Sequence, residues 1–180
     1  KELIMSGELN LVICPACGTP FYQEVPVVYA DPELELLAFL FPHSYEKDRE
    51  ALTAKMMEDY KLLEPGLGNK TEFGTGPEIF FGTESLKEFL EKEAENEDEA
   101  NVVKFLAEQA GLKTLRVRAA IARKINAPVY IPFEGNAADR KTVKKGVEKL
   151  LKNNPALALL SGFQKHLEKM SDEELLKILP

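Results

Sequence analysis

Two cysteines and two histidines are all that these 180 residues contain, and the longest uninterrupted apolar run is the six residues 36–41. Each scarcity excludes something. Two cysteines cannot build the disulfide framework of a small secreted domain. Six apolar residues fall far short of the ~20 that a membrane-spanning helix needs. No basic start followed by an apolar stretch is visible, so no signal peptide is expected and cytoplasmic residence is the default. The histidines, His43 and His166, form no His-x-x-x-His, His-Glu-x-x-His or calcium-loop spacing. His43 is expected to bond backbone or water, and His166 to hold an ordinary place on a C-terminal helix. There is no internal repeat and no low-complexity tract.

What is present is enough for a packed core: the hydrophobic share is 44%. A formal net charge of −7 speaks against broad nucleic-acid binding. The charge is uneven, however. Residues 84–99 hold eight acids against Lys87 and Lys92, whereas residues 113–124 hold five bases and no acid, and residues 140–152 hold six bases against Glu148. The plain reading is a set of solvated helix faces of opposite sign. A local polyanion site around Arg116, Arg118, Arg123, Lys141, Lys144 and Lys145 is the alternative, and pairing of those arginines with Glu91, Glu95 or Glu99 would speak against it.

Along the chain, residues 9–41 read as β. Leu9, Leu11 and Ile13 alternate with other residues; Phe21 to Val25 and Val27 to Tyr29 follow as extended pieces around Pro26. Asp31-Pro32-Glu33 is turn chemistry. Leu34, Leu36, Ala38 and Leu40 then alternate in a strand apolar on both faces towards its end, which predicts cover on both sides. Ser44 is expected to cap a helix over 45–63. Residues 65–82, with five glycines and two prolines, predict a long irregular loop. Its Gly68-Asn69-Lys70-Thr71 and Gly74-Thr75-Gly76 lack the Gly-Lys-Ser/Thr order and the preceding strand of a phosphate loop. From residue 83 the pattern is helical: Asn96 with Glu99 signals a cap before Val102, Gly111 a stop, residues 112–126 another helix, and residues 128–133 a short extended piece. Asn136 is expected to cap a helix that Asn153-Asn154-Pro155 breaks. Two further helices follow, with Leu157, Leu160, Phe163 and Leu167 on one and a Ser171–Glu174 capping box opening the other.

The cysteines form Cys14-Pro15-Ala16-Cys17-Gly18. Such spacing serves zinc, dithiol redox chemistry, or neither. A redox pair follows a strand and opens a helix, whose N-terminal dipole lowers the thiol pKa. Here Gly18, Thr19 and Pro20 lead back into an aromatic, β-prone run. That predicts a tight turn between two strands, a zinc-ribbon knuckle with Cys14 and Cys17 as metal ligands. Two thiolates make half of a tetrahedral site, so the other half must lie elsewhere. An inert turn with two reduced cysteines stays open.

Ser6-Gly7-Glu8-Leu9-Asn10, then Cys14-Pro15-Ala16-Cys17-Gly18, then Tyr29-Ala30-Asp31-Pro32, resemble the second half of a CpXC domain, a bacterial and archaeal family named for two Cys-Pro-x-Cys motifs. The resemblance covers residues 6–42 specifically; beyond them it is one of layout, including the Asn154-Pro155 break. Ala30 departs from it, since histidine often stands between the Tyr and the Asp. The resemblance implies a four-cysteine zinc site in the full-length protein, with the first motif upstream of Lys1 and only the second, Cys14 and Cys17, in this chain.

The expected fold is α+β: a small antiparallel sheet carrying the Cys-x-x-Cys knuckle, plus a larger helical C-terminal part. Residues 1–64 form the β-rich module with its helix, 65–82 the loop, and 83–180 the helical part, in one continuous unit. The function this favours is a non-enzymatic zinc-ribbon-like module for protein interaction or regulation. The alternatives are an enzyme with its site near the loop 65–82, and a nucleic-acid-binding ribbon, the less favoured of the two. A protein partner, with self-association through an exposed sheet edge, is expected; a membrane is not.

Overall fold

The computed structural model describes residues 1–63 and 76–178, and the chain divides into two units, Lys1–Lys92 and Glu93–Pro180. The fold is mixed α and β, as expected. In the first unit a single helical turn, α1 (Glu2–Met5), precedes a hairpin of β1 (Leu11–Ile13) and β2 (Pro20–Tyr22). A second hairpin joins β3 (Val27–Asp31) to β4 (Leu36–Phe41). Asp31 closes its turn: one carboxylate oxygen accepts from the Leu34 amide at 3.2 Å, the other from the Tyr29 hydroxyl at 2.8 Å. A 3-10 turn (His43–Asp48) and α2 (Arg49–Leu63) follow, then β5 (Glu78–Phe81), which pairs parallel with β4 and completes the order β3-β4-β5. A parallel neighbour requires a crossover rather than a tight turn, and α2 belongs to it.

Three expectations are corrected here. The sheet is not wholly antiparallel, and residues 78–81, read as irregular loop, are its third strand; residues 65–75 of that loop lie outside the described residues. Ser44 does not cap α2, because its hydroxyl donates to Glu24 at 2.9 Å. Strand β4 is buried on one face along its length, where Leu36, Ala38 and Leu40 pack with Ile4 and with Leu86 and Leu90 of α3 (Thr83–Gln109), and on both faces at its end, where Phe41 is buried as well, as expected. On the other face Leu37 and Phe39 stay half-buried. At the strand end Phe41 stacks on Phe81 at 5.6 Å, with the Arg49 guanidinium 4.4 Å over the Phe81 ring.

Helix α3 runs without the break expected near residue 96. The polar residues read as a cap are used otherwise. Asn96 donates one turn back to Glu93 at 3.2 Å. Glu99 accepts from the amides of Ala158, Leu159 and Leu160 at 3.1, 2.7 and 3.2 Å. These are the first three N–H groups of a later helix, which have no partner within it. Gly111, at φ +69°, ends α3 as expected.

The rest of the second unit is β6 (Lys113–Arg116), α4 (Ala119–Lys124), β7 (Tyr130–Phe133), α5 (Arg140–Asn153), α6 (Ala158–Lys169) and α7 (Asp172–Ile178). The helix expected over 112–126 is thus a strand followed by a short helix. Lys113 to Arg116 pair antiparallel with Phe133 to Tyr130, and tertiary pairing overrides their helix-forming composition. The cap of α5 is Asp139, not Asn136: Asp139 accepts from the Thr142 amide and Thr142 from the Asp139 amide, both at 2.8 Å. Asn136 instead accepts from Lys113 at 3.1 Å. The break at Asn154-Pro155 stands where expected. So does the Ser171–Glu174 box, with Glu174 accepting from the Ser171 amide at 2.7 Å. Leu157, Leu160, Phe163 and Leu167 all enter one apolar core with Val103, Ile131, Val143, Val147 and Leu150. Helix α5 lies so close to β7 that a Cβ on Gly146 would sit 2.7 Å from the Phe133 Cα and the Pro132 carbonyl oxygen.

Candidate metal centre

The two thiols stand at the tip of the β1–β2 hairpin. Pairing of Ile13 with Pro20 brings the strands together. The Cys14 amide donates to the Thr19 carbonyl at 2.9 Å, and the Gly18 amide to the Cys14 carbonyl at 2.8 Å. Gly18 closes the turn at φ +71°, a left-handed conformation that costs glycine little. No helix begins at Cys17; the chain passes through Gly18 and Thr19 directly into β2. The helix-dipole arrangement of dithiol redox proteins is therefore not the one found here.

Both cysteines are free, Cys14 half-buried and Cys17 exposed. The Cys17 thiol donates to the Thr19 hydroxyl at 3.3 Å. When the thiol ionises, the Thr19 hydroxyl can turn and donate to the sulfur; this bond first, then one from the Thr19 backbone, then one from the Cys14 thiol, hold Cys17 below the usual thiol range, against an opposing effect of burial. A thiolate is the form that ligates metal. The sequence assigns Thr19 no role beyond the turn, since its only signal is a hydroxyl two positions beyond the second cysteine.

The strands that carry the turn are apolar on both faces and open to solvent. Cross-strand partners share a face, so Leu11 and Tyr22 lie with Ile13 and Pro20, and Val12 lies with Phe21 on the other side. Ile13 is 66% exposed and Tyr22 62%. The Tyr22 hydroxyl donates to the Gly7 carbonyl in the preceding loop at 3.1 Å.

The turn brings the Cys14 and Cys17 thiols together at one end of the hairpin. Among the described residues no group of three or more His, Cys, Asp or Glu side chains could hold one ion. His43 pairs with Glu46 at 3.0 Å, and His166 is exposed on α6. Several basic residues are paired: Arg123 meets the buried Glu93 at 3.1 Å, Lys144 meets Glu148 at 3.8 Å, and Lys145 meets Glu134 at 3.7 Å. No described helix is long and apolar enough to cross a membrane.

Neither the curated proteins nor the solved structures contain a match to this chain. A family model does match: that of the CpXC protein, over residues 1–123, a span that takes in α1, the thiol hairpin, the mixed sheet and all of α3. The chain belongs to the CpXC family.

Proposed function

We propose that this protein is a zinc-ribbon-type module that acts by binding another protein, with Cys14 and Cys17 as two of the four ligands of a structural zinc. The observation that carries the reading is a thiol pair at the tip of a hairpin whose apolar faces are both exposed. An isolated two-stranded ribbon is marginal in water, and so much uncovered apolar surface marks a place where something docks. A second Cys-x-x-Cys turn packed beside this one would supply the missing thiolates and cover a face. Zinc would add its binding free energy to folding. Cys14 and Cys17 would hold the metal, and Thr19 would orient the Cys17 sulfur and favour its ionised form. The role proposed is structural and regulatory rather than catalytic, in a reducing cytoplasm where the pair stays unoxidised.

The test is metal content by elemental analysis after purification without chelator. One zinc per chain is expected where both thiol pairs lie on one polypeptide, and one per two chains where a second copy contributes its pair. Cys14→Ser is expected to abolish binding. Protein with both cysteines intact and no zinc after reconstitution would end the proposal.

A further inference from the structure

We infer that the second unit carries a binding surface for the sugar-phosphate backbone of nucleic acid, formed by the solvent face of α5 and the adjoining start of β6. This goes beyond the thiol site and does not depend on it. Residues 110–169 hold thirteen lysines and arginines against four acids, whereas residues 1–92 hold eight against seventeen. The acidic total thus conceals one strongly basic stretch. The fold gathers six of its lysines. Lys141, Lys145, Lys149 and Lys152 are exposed along one stripe of α5, each about 4.5–6 Å from the next along the axis, with Lys144 beside them. Lys149 donates to the Ala110 carbonyl at 3.0 Å and Lys113 to Asn136 at 3.1 Å, which anchors Lys113 next to the stripe.

Little neutralises this row. Glu148 and Glu134 reach Lys144 and Lys145 only at 3.8 and 3.7 Å, in pairs about half-exposed, which hold weakly. Asp139, beside Lys141, is engaged in the α5 cap. Among the described residues no carboxylate lies within ion-pair distance of Lys113, Lys141, Lys149 or Lys152.

The composition of the row selects the partner. Among the described residues the exposed large apolar side chains of this unit, Val102 and Phe105, lie on α3, and α5 presents none. Protein interfaces are built around buried apolar or aromatic anchors. A linear array of lysines without one fits a regular polyanion, bound through counterion release without base readout. The stripe is about 16 Å long, which spans about five phosphates of one duplex strand.

The test uses the full chain and fluorescence anisotropy with a short fluorescein-labelled DNA duplex and an RNA strand, both of mixed sequence. Binding is expected to weaken roughly a hundredfold between about 50 and 200 mM salt, as for four displaced counterions. Lys141→Gln with Lys152→Gln is expected to lower the logarithmic salt slope by about 2. Lys55→Gln with Lys61→Gln, on α2, changes the net charge equally and is expected to leave binding unaltered. Lys144→Gln with Lys149→Gln serves as the second stripe variant should circular dichroism show the first to be misfolded. Absence of binding at low salt overturns the inference. So does equal loss from the α2 variant, or competition by poly-glutamate as effective as that by unlabelled duplex.

Discussion

The two units solve the problem of folding differently. The second buries a continuous core in which Phe163, Ile131, Leu150, Leu160, Val143 and Val147 are inaccessible or nearly so. The first has a smaller cluster of Ile4, Leu36, Ala38, Leu40, Leu86 and Leu90, and leaves its thiol hairpin wholly outside it. The contrast teaches where stability and recognition reside. Residues that fill a core cannot also be offered to a partner, and the hairpin is spared the first duty.

Core truncation gives the largest expected difference. Phe163→Ala should destabilise the second unit by about 3–5 kcal/mol, read from urea unfolding. Ile13→Ser, in metal-free protein, should change stability by less than about 0.5 kcal/mol. Comparable losses from both would erase the contrast. Next comes Gly146→Ala, which drives a methyl group into the β7 backbone and should cost about 1–3 kcal/mol; an unchanged melting temperature would mean that α5 packs less tightly than described. Glu99→Ala removes the acceptor shared by three amides of α6 and should cost about 1–2 kcal/mol.

The smallest effect is alkaline and confined to the first unit. Burial first, then the hydrogen bond to Asp31 and the charge of that carboxylate, push the Tyr29 phenol up to about 12. The folded state thus keeps a proton that the unfolded chain releases near 10. The associated stabilisation is complete below pH 10 and is lost as pH rises through about 12. Tyr29→Phe should flatten the fall in stability across that window and remove the phenolate absorbance step near its upper end. An unaltered profile would disconnect Tyr29 from the sheet.

The legible parts of the sequence were those with local causes. The thiol turn follows from a proline between the two cysteines and a glycine directly after them, the Asp31 turn from an Asx bond to the backbone, and the α7 start from serine and glutamate three apart. What failed was decided at a distance. Strands β5 and β6 have four residues each, too few for periodicity to speak, and they exist because β4 and β7 pair with them. Asn96 and Glu99 have the composition of a cap, yet Glu99 serves amides some sixty positions away. Asp139 and Asn136 are chemically alike as caps. Only the threonine three residues after Asp139 separates them, and that spacing was available to be read. For the candidate site, the ligand pair was visible in the motif, whereas exposure of both hairpin faces was not, because alternation cannot tell a covered strand from an open one.

The Glu99 carboxylate has a consequence for hydrogen exchange. Amides in the first turn of a helix ordinarily trade their protons with water quickly, since nothing in the helix shields them. At Ala158, Leu159 and Leu160 the bonds to Glu99 should slow that trade until the segments carrying residues 99 and 158–160 separate. Those three protons then form a clock that reports opening of the second unit rather than fraying at the end of α6.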